Sequence, residues 1–280
     1  MSKIQAIVDR HNKAQDGLVY TFESHLREIT MRAQGRVIAR LQKRLSITDG
    51  VIDSTAGNMV TLRNAGRMFM VEMDKAGYQR LVTAFVGEFR GTLPFLQETL
   101  ELLGEQVGQK WGMDLGFTQR DLALLGGVQA NTAAALTGAI ESVAGAAITR
   151  GLFGVAGLQF GSLVEMLTTR FETSIGKATS IGNTAINVFY RTASERSFAI
   201  IAKDLPEQVL RYVYQGPIDK LERPFCRHLT DAKKSYTRAQ IDAMDNGQFP
   251  VGSCFTTAGG WNCRHGFYLS ASDLVLEEAA

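Results

Sequence analysis

Proline is scarce in this chain, five residues in 280, and cysteine is absent before Cys226. With so few prolines, helices can run far without losing a backbone donor or clashing with the preceding turn. The three cysteines all lie in the last fifth of the chain. An odd count excludes a complete disulfide framework, so a metal site or reduced thiols is the better reading. A charge excess of one sign is missing too: 30 basic side chains against 28 acidic ones leave a formal +2. A general nucleic-acid binder carries a larger basic excess, so any contact with DNA has to come from a local patch. The opening Met1-Ser2-Lys3-Ile4-Gln5 has no apolar core of a signal peptide, which points to synthesis in a cytoplasm. Also missing are a phosphate loop, a His-Glu-x-x-His motif and an unbroken apolar run of the roughly 20 residues that span a bilayer.

What is present is helical periodicity. From Lys3 to about Leu45, Ile4, Val8, Ala14, Leu18, Phe22, Ile29, Ala33, Val37 and Leu41 fall on one broad stripe. That predicts a helix of roughly 40 residues, about 60 Å long, with Gly17 and Gly35 as its weak points. Ile47 to Gly57 is rich in turn formers and supplies the break. A second helix is expected from Met59 to Ala76, ended by Gly77, and a third from Tyr78 to Gly108, bent at Pro94. Thr118-Gln119-Arg120-Asp121 is a capping box opening a fourth helix that runs to about Thr149. A fifth is expected from Ser162 to Lys203, interrupted near Gly176 or Gly182. Between Leu122 and Val164 the only charges are Glu141 and Arg150. This stretch reads as a buried central helix, with an ejected, membrane-active segment over 122–164 as the competing reading. Gly151, Gly154, Gly157 and Gly161 read as a flexible or tightly packed loop, because glycine costs a helix about 1 kcal/mol each. After Pro206 the pattern changes. Val209–Tyr214 and His265–Ser270 read as strands, and Thr237-Arg238-Ala239-Gln240 opens a short capped helix ending at Asn246-Gly247. The fold class is thus mainly α: an elongated helical body with long N-terminal helices over 1–206, and a small α+β Cys/His module over 207–280.

Two groups of residues carry candidate chemistry. Cys226-Arg227-His228, Cys254 and Cys263-Arg264-His265 concentrate every cysteine and two of the four histidines in the module. Thiolate and imidazole are the ligands zinc favours in closed tetrahedral sites, and a module of roughly 65 residues has a core thin enough to need such a clamp. The leading set is Cys226, Cys263 and His265, with His228 or Cys254 as the fourth ligand and Asp219 as an outside candidate. In a strand, i and i+2 share a face, so each Cys-x-His pair can point at one ion. Reduced cysteines, and a Cys226–Cys263 disulfide, are the alternatives. A thiol or zinc hydrolase or nuclease acting through Cys263 and His265, with backbone donors from Gly259-Gly260, is a further one, but no partner carboxylate base is evident. The second group is a basic stripe, Arg32, Arg36, Arg40 and Arg44 at i, i+4 spacing with Lys43 beside them. It reads as a solvated face or as a contact with an acidic partner, a protein ring or packaged DNA. Like charges so spaced repel by a few tenths of a kcal/mol each, so something negative is expected opposite them.

The C-terminal third also has a recognisable order of motifs: Thr179-Ser180-Ile181-Gly182-Asn183-Thr184-Ala185-Ile186-Asn187, then Arg211-Tyr212-Val213-Tyr214, Asp219 and Arg223-Pro224-Phe225-Cys226. The short capped helix follows, then Gly259-Gly260-Trp261-Asn262-Cys263-Arg264-His265. Over roughly residues 160–270 this resembles the Mu-type phage head morphogenesis (minor head) proteins. In that family an Asp is followed by Arg-x-x-Cys, a helix, and a closing Cys-Arg-Cys or Cys-Arg-His. The chain departs from the common form in having Cys-x-His at 226–228 and His265 in place of a cysteine. The resemblance implies a minor, non-enzymatic virion component in the capsid interior or at the portal vertex. It further implies association with phage portal or neck proteins, as a homo-oligomer or ring, in head assembly or DNA delivery. Some members carry a C-terminal toxin or nuclease domain; none is expected here, since Ala280 follows soon after the cluster. No membrane partner is expected.

Overall fold

The structure, a computed structural model, describes residues 3–106, 108–112, 114–142, 158–203, 210–249 and 252–270. It is mainly helical, with a three-stranded sheet in the Cys/His region and one short hairpin at residues 47–52. Helix α1 runs without a break from Lys3 to Arg44. Its buried stripe differs in part from the expected one: Ala14 is exposed, while His11, Asn12 and Gln15 are buried.

The chain forms two compact units. One comprises Val19–Val86 and Thr132–Gly182. Its hairpin pairs β1 (Ile47–Thr48) with β2 (Val51–Ile52) through Asp49-Gly50, both at positive φ. A two-residue turn matched to strand twist requires that conformation, and an Asp-Gly pair adopts it readily. Buried Asn58 fixes the hairpin, donating to the carbonyls of Ser46 and Asp53 at 2.8 Å and accepting from Ser46 N at 2.9 Å. The helix expected over 59–76 is two, α2 (Ala56–Arg63) and α3 (Ala65–Lys75), divided at Asn64. Helix α4 (Tyr78–Gly87) follows Gly77. Apolar faces close this unit: Phe22 stacks on Phe85 at 4.3 Å and Phe69 on Phe171 at 4.0 Å, while the Tyr78 hydroxyl donates to Leu136 O at 2.8 Å. Each fully buried aromatic contributes about 1.5–3 kcal/mol.

The other unit comprises Met1–Leu18, Gly87–Asn131 and Asn183–Ala280. A 3₁₀ turn, Glu88–Thr92, leads into α5 (Leu93–Gln106). The expected bend thus falls just before Pro94, because proline fits a helix's first turn but not its interior. Helix α6 (Gln119–Ser142) opens on the expected reciprocal cap: Thr118 Oγ1 accepts from Asp121 N at 3.2 Å, and Asp121 Oδ2 accepts from Thr118 N at 3.0 Å. Its expected continuation to Thr149, with Gly151, Gly154 and Gly157, lies outside the described residues. Among the described residues no helix is long and apolar enough to cross a membrane. Helix α7 runs unbroken from Phe160 to Ile201, against the expected interruption at Gly176 or Gly182. Two glycines cost about 2 kcal/mol together, less than is gained by burying Leu163, Leu167, Phe171 and Ile175 along the same helix.

The small sheet has order β4-β3-β5, all antiparallel, with β3 (Tyr212–Gln215) central between β4 (Ser235–Tyr236) and β5 (Gly266–Leu269). Three short helices surround it: α8 (Pro224–Ala232), α9 (Arg238–Asp242) and α10 (Cys254–Thr257). Helix α9 has the full predicted capping box but stops at Asp242, short of Asn246-Gly247. Phe198, Tyr212, Phe255 and Phe267 pack together at centroid separations from 5.2 to 6.2 Å.

Candidate metal centre

Cys226 owes its position to Arg223-Pro224. Proline restricts the preceding residue to extended backbone, and Arg223 lies there (φ −80°, ψ 158°); Pro224 then fits the first turn of α8, where no donor is lost. Cys226 falls in that first turn and is buried. His228 does not join it. The residue sits on a helix rather than a strand, so i and i+2 point about 200° apart, and His228 is exposed. Cys263 and His265 lie on the irregular segment just before β5, rather than in the expected strand, and both are buried.

These three side chains come together. The ligand atoms of Cys226, Cys263 and His265 all lie within 4.8 Å of one another, and the three residues can hold a metal ion. The two sulfurs are 3.6 Å apart, well beyond the ~2.05 Å of a disulfide, and all three cysteines are free. Cys254 is buried elsewhere, its thiol donating to Met244 O at 3.1 Å. Asp219 is occupied by Arg264 at 2.5 Å.

The backbone of Gly259 lies close against both sulfurs. A Cβ on Gly259 would stand 2.3 Å from Cys226 Sγ and 3.0 Å from Cys263 Sγ, so only glycine fits. Its amide donates to Cys263 Sγ at 3.2 Å, the backbone donor expected from the Gly259-Gly260 pair. Arg223 holds the loop from outside, donating to Gly259 O at 2.8 Å and Gln248 Oε1 at 2.6 Å. No protein-family model, curated protein or solved structure matches this chain. Its functional assignment therefore rests on residues and geometry.

Three residues that sequence reasoning missed build the site. Arg191, near the end of α7 and buried, donates through Nε to His265 O at 2.8 Å, through Nη1 to Thr256 O at 3.3 Å, and through Nη2 to Cys263 O. One guanidinium thus fixes the backbone of both Cys263 and His265. Tyr214 donates its hydroxyl to Cys226 Sγ at 3.3 Å and stacks its ring on His265 at 5.4 Å. The carboxylate of Glu222 stands 3.3 Å from His265 Nε2, with only 3% of its side chain exposed. Arg191 lies far in sequence from its partners; Tyr214 and Glu222 sit in or beside the C-terminal motifs, but nothing in those motifs alone assigns them to the cysteines.

The electrostatics favour one shared proton in the metal-free pair. The hydrogen bond from Cys226 holds the Cys263 thiol far below its usual range, helped by His265 and the charge of Arg191 against the opposing effect of burial. The same bond, with burial, pushes Cys226 up. A soft, partly ionised pair beside an imidazole is a donor set suited to a thiophilic cation.

The basic stripe also has a structural answer. Glu72, with 2% of its side chain exposed, faces Arg40 at 2.9 Å, Arg36 at 3.4 Å and Lys75 at 3.3 Å. Burial raises its carboxyl, but the hydrogen bonds from Lys75 and Arg36 and the charge of Arg40 outweigh that and hold it below the usual range. Arg32 pairs with Glu28 one turn earlier, whereas Lys43 and Arg44 are exposed. The negative group that Arg36 and Arg40 face is the chain's own.

Proposed function

We propose that this chain is a non-enzymatic structural component of a tailed-phage head, acting at the portal or neck and clamped at its C-terminus by zinc. The observation that carries the reading is the meeting of Cys226, Cys263 and His265 in one buried cluster. They come from the two motifs, Arg223-Pro-Phe-Cys226 and Gly259-Gly-x-x-Cys263-Arg-His265, on which the resemblance to Mu-type minor head proteins rests. A shared purpose for the two motifs, holding the module's loops through one ion, explains why they occur together. Two thiolates and an imidazole in a closed pocket suit zinc, and structural zinc sites are closed whereas catalytic ones keep an open position. The burial of all three residues therefore favours a clamp over hydrolysis at Cys263 and His265.

The long helices supply the surface for assembly. Tyr20 and Met31 are largely exposed on α1, and Lys43 and Arg44 continue the same helix. With Arg36 and Arg40 engaged by Glu72, only Lys43 and Arg44 of the stripe remain for an acidic neighbour, which favours a protein ring over packaged DNA. The test is co-expression with a portal protein from the genome that encodes this chain, followed by sedimentation of the portal rings and of disrupted heads. The reading expects this chain in both fractions at low copy number; rings and heads that lack it would overturn the reading.

A further inference from the structure

We infer that Glu222 is the fourth ligand of this centre, making a two-cysteine, one-histidine, one-carboxylate site; the inference rests on the metal clamp proposed above. Glu222 lines the same small cavity as Cys226, Cys263 and His265. Its Oε1 and the Nε2 of His265 are both buried without a hydrogen-bond partner, although they stand only 3.3 Å apart. At that distance an outer carboxylate supporting a ligating histidine would accept its N–H, as such partners usually do. Here neither atom makes a hydrogen bond, so the two converge without bonding. Two ligands of one ion do that.

The spacing agrees. Tetrahedral bonds of about 2.3 Å to sulfur place two sulfurs about 3.8 Å apart, and bonds of about 2.0–2.2 Å to nitrogen and oxygen place those atoms about 3.3–3.5 Å apart. The structure has 3.6 Å between the sulfurs and 3.3 Å between nitrogen and oxygen. The carboxylate stands outside the 4.8 Å group formed by the other three, so ligation requires Oε1 to swing toward the sulfurs. The charge argument points the same way. A carboxylate this buried needs a cation close by, and beyond His265 its only ion-pair neighbour among the described residues is Arg227, at 3.8 Å and itself mostly exposed. Glu222 also lies four residues before Cys226, in the turn that delivers α8, so one short segment supplies two ligands.

The test loads full-length protein with Co(II) and records its visible spectrum, then measures zinc affinity by competition with a chromophoric chelator. The wild type is compared with Glu222→Gln, Glu222→Asp, His228→Gln and Cys254→Ser. The inference expects Glu222→Gln to shift the Co(II) bands and to weaken zinc by more than the roughly 10–100-fold that losing an outer partner costs. Glu222→Asp should restore much of both, and the other two variants should match wild type. X-ray absorption of the wild-type zinc form, which needs no variant to fold, should give two sulfur and two nitrogen or oxygen neighbours. Unchanged bands in Glu222→Gln, changed bands in His228→Gln or Cys254→Ser, or three sulfur neighbours would overturn Glu222 as ligand and leave the clamp standing. A wild type that takes up no metal would overturn the clamp itself.

Discussion

Replacing Arg191 by methionine removes the cation that fixes both Cys263 and His265. The side chain is buried, and its two strongest bonds go to the carbonyls of His265 and Cys263. A hydrogen bond from a charged group is worth about 1.5–3 kcal/mol, so two are worth about 3–6 kcal/mol. Part of this returns, because methionine no longer has a buried guanidinium to desolvate. A net loss of about 2–4 kcal/mol is therefore expected. Arg191→Lys should recover little of it, since an ammonium keeps the charge but not the planar fork that reaches four carbonyls. Urea unfolding followed by far-UV circular dichroism and by tryptophan fluorescence measures both variants. A cost below about 1 kcal/mol for Arg191→Met, or full recovery with lysine, would show that the forked contacts do not hold the site together.

Other perturbations test separate parts. His11 is held neutral down to about 3, chiefly by burial and also by the charge of Arg191, whereas the ordinary value is 6.5. Between those limits the unfolded chain binds a proton that the folded chain does not. Stability should therefore fall as pH drops from about 6.5 toward 3, by up to about 1.4 kcal/mol per unit. His11→Leu should flatten that slope in a series of urea titrations, and an identical slope would refute it. Gly259→Ala puts a methyl 2.3 Å from Cys226 Sγ; it should cost about 1–3 kcal/mol as overpacking and lower the chelator concentration at which half the metal is lost. Glu72→Gln leaves Arg36, Arg40 and Lys75 facing a neutral amide and should cost about 1–2 kcal/mol. That difference should shrink once acid protonates the wild-type carboxylate, because its stabilisation is present above the ordinary carboxylate range and lost as pH falls through its lowered folded value.

Much of the fold was legible because it follows local rules. The unbroken α1, the Thr118 and Thr237 capping boxes and the approximate places of β3 and β5 came from periodicity and cap chemistry that depend on neighbours in sequence. Failures came where distant contacts decide. Helix α7 passes Gly176 and Gly182 because its buried apolar face outweighs two glycines. Asp49-Gly50 carries a strong hairpin signal, yet the region reads merely as a break, since two-residue strands are too short to show alternation. At the centre, Cys226, Cys263 and His265 were identifiable by their chemistry, but His228 was misplaced because α8 was not foreseen behind Arg223-Pro224. Arg191 sits 72 residues before Cys263, and Tyr214 and Glu222, though near Cys226, carry no spacing signal, so only the folded chain assigns them to the site.

The most direct test of the central claim is metal analysis of the purified full-length chain, paired with its thermal unfolding before and after exhaustive chelation. A clamp joining Cys226, Cys263 and His265 predicts bound zinc at one ion per chain. It also predicts a lower melting temperature after chelation, reversed when zinc is restored. Protein that carries no metal when prepared under reducing conditions, and melts at the same temperature with and without chelator, would contradict it.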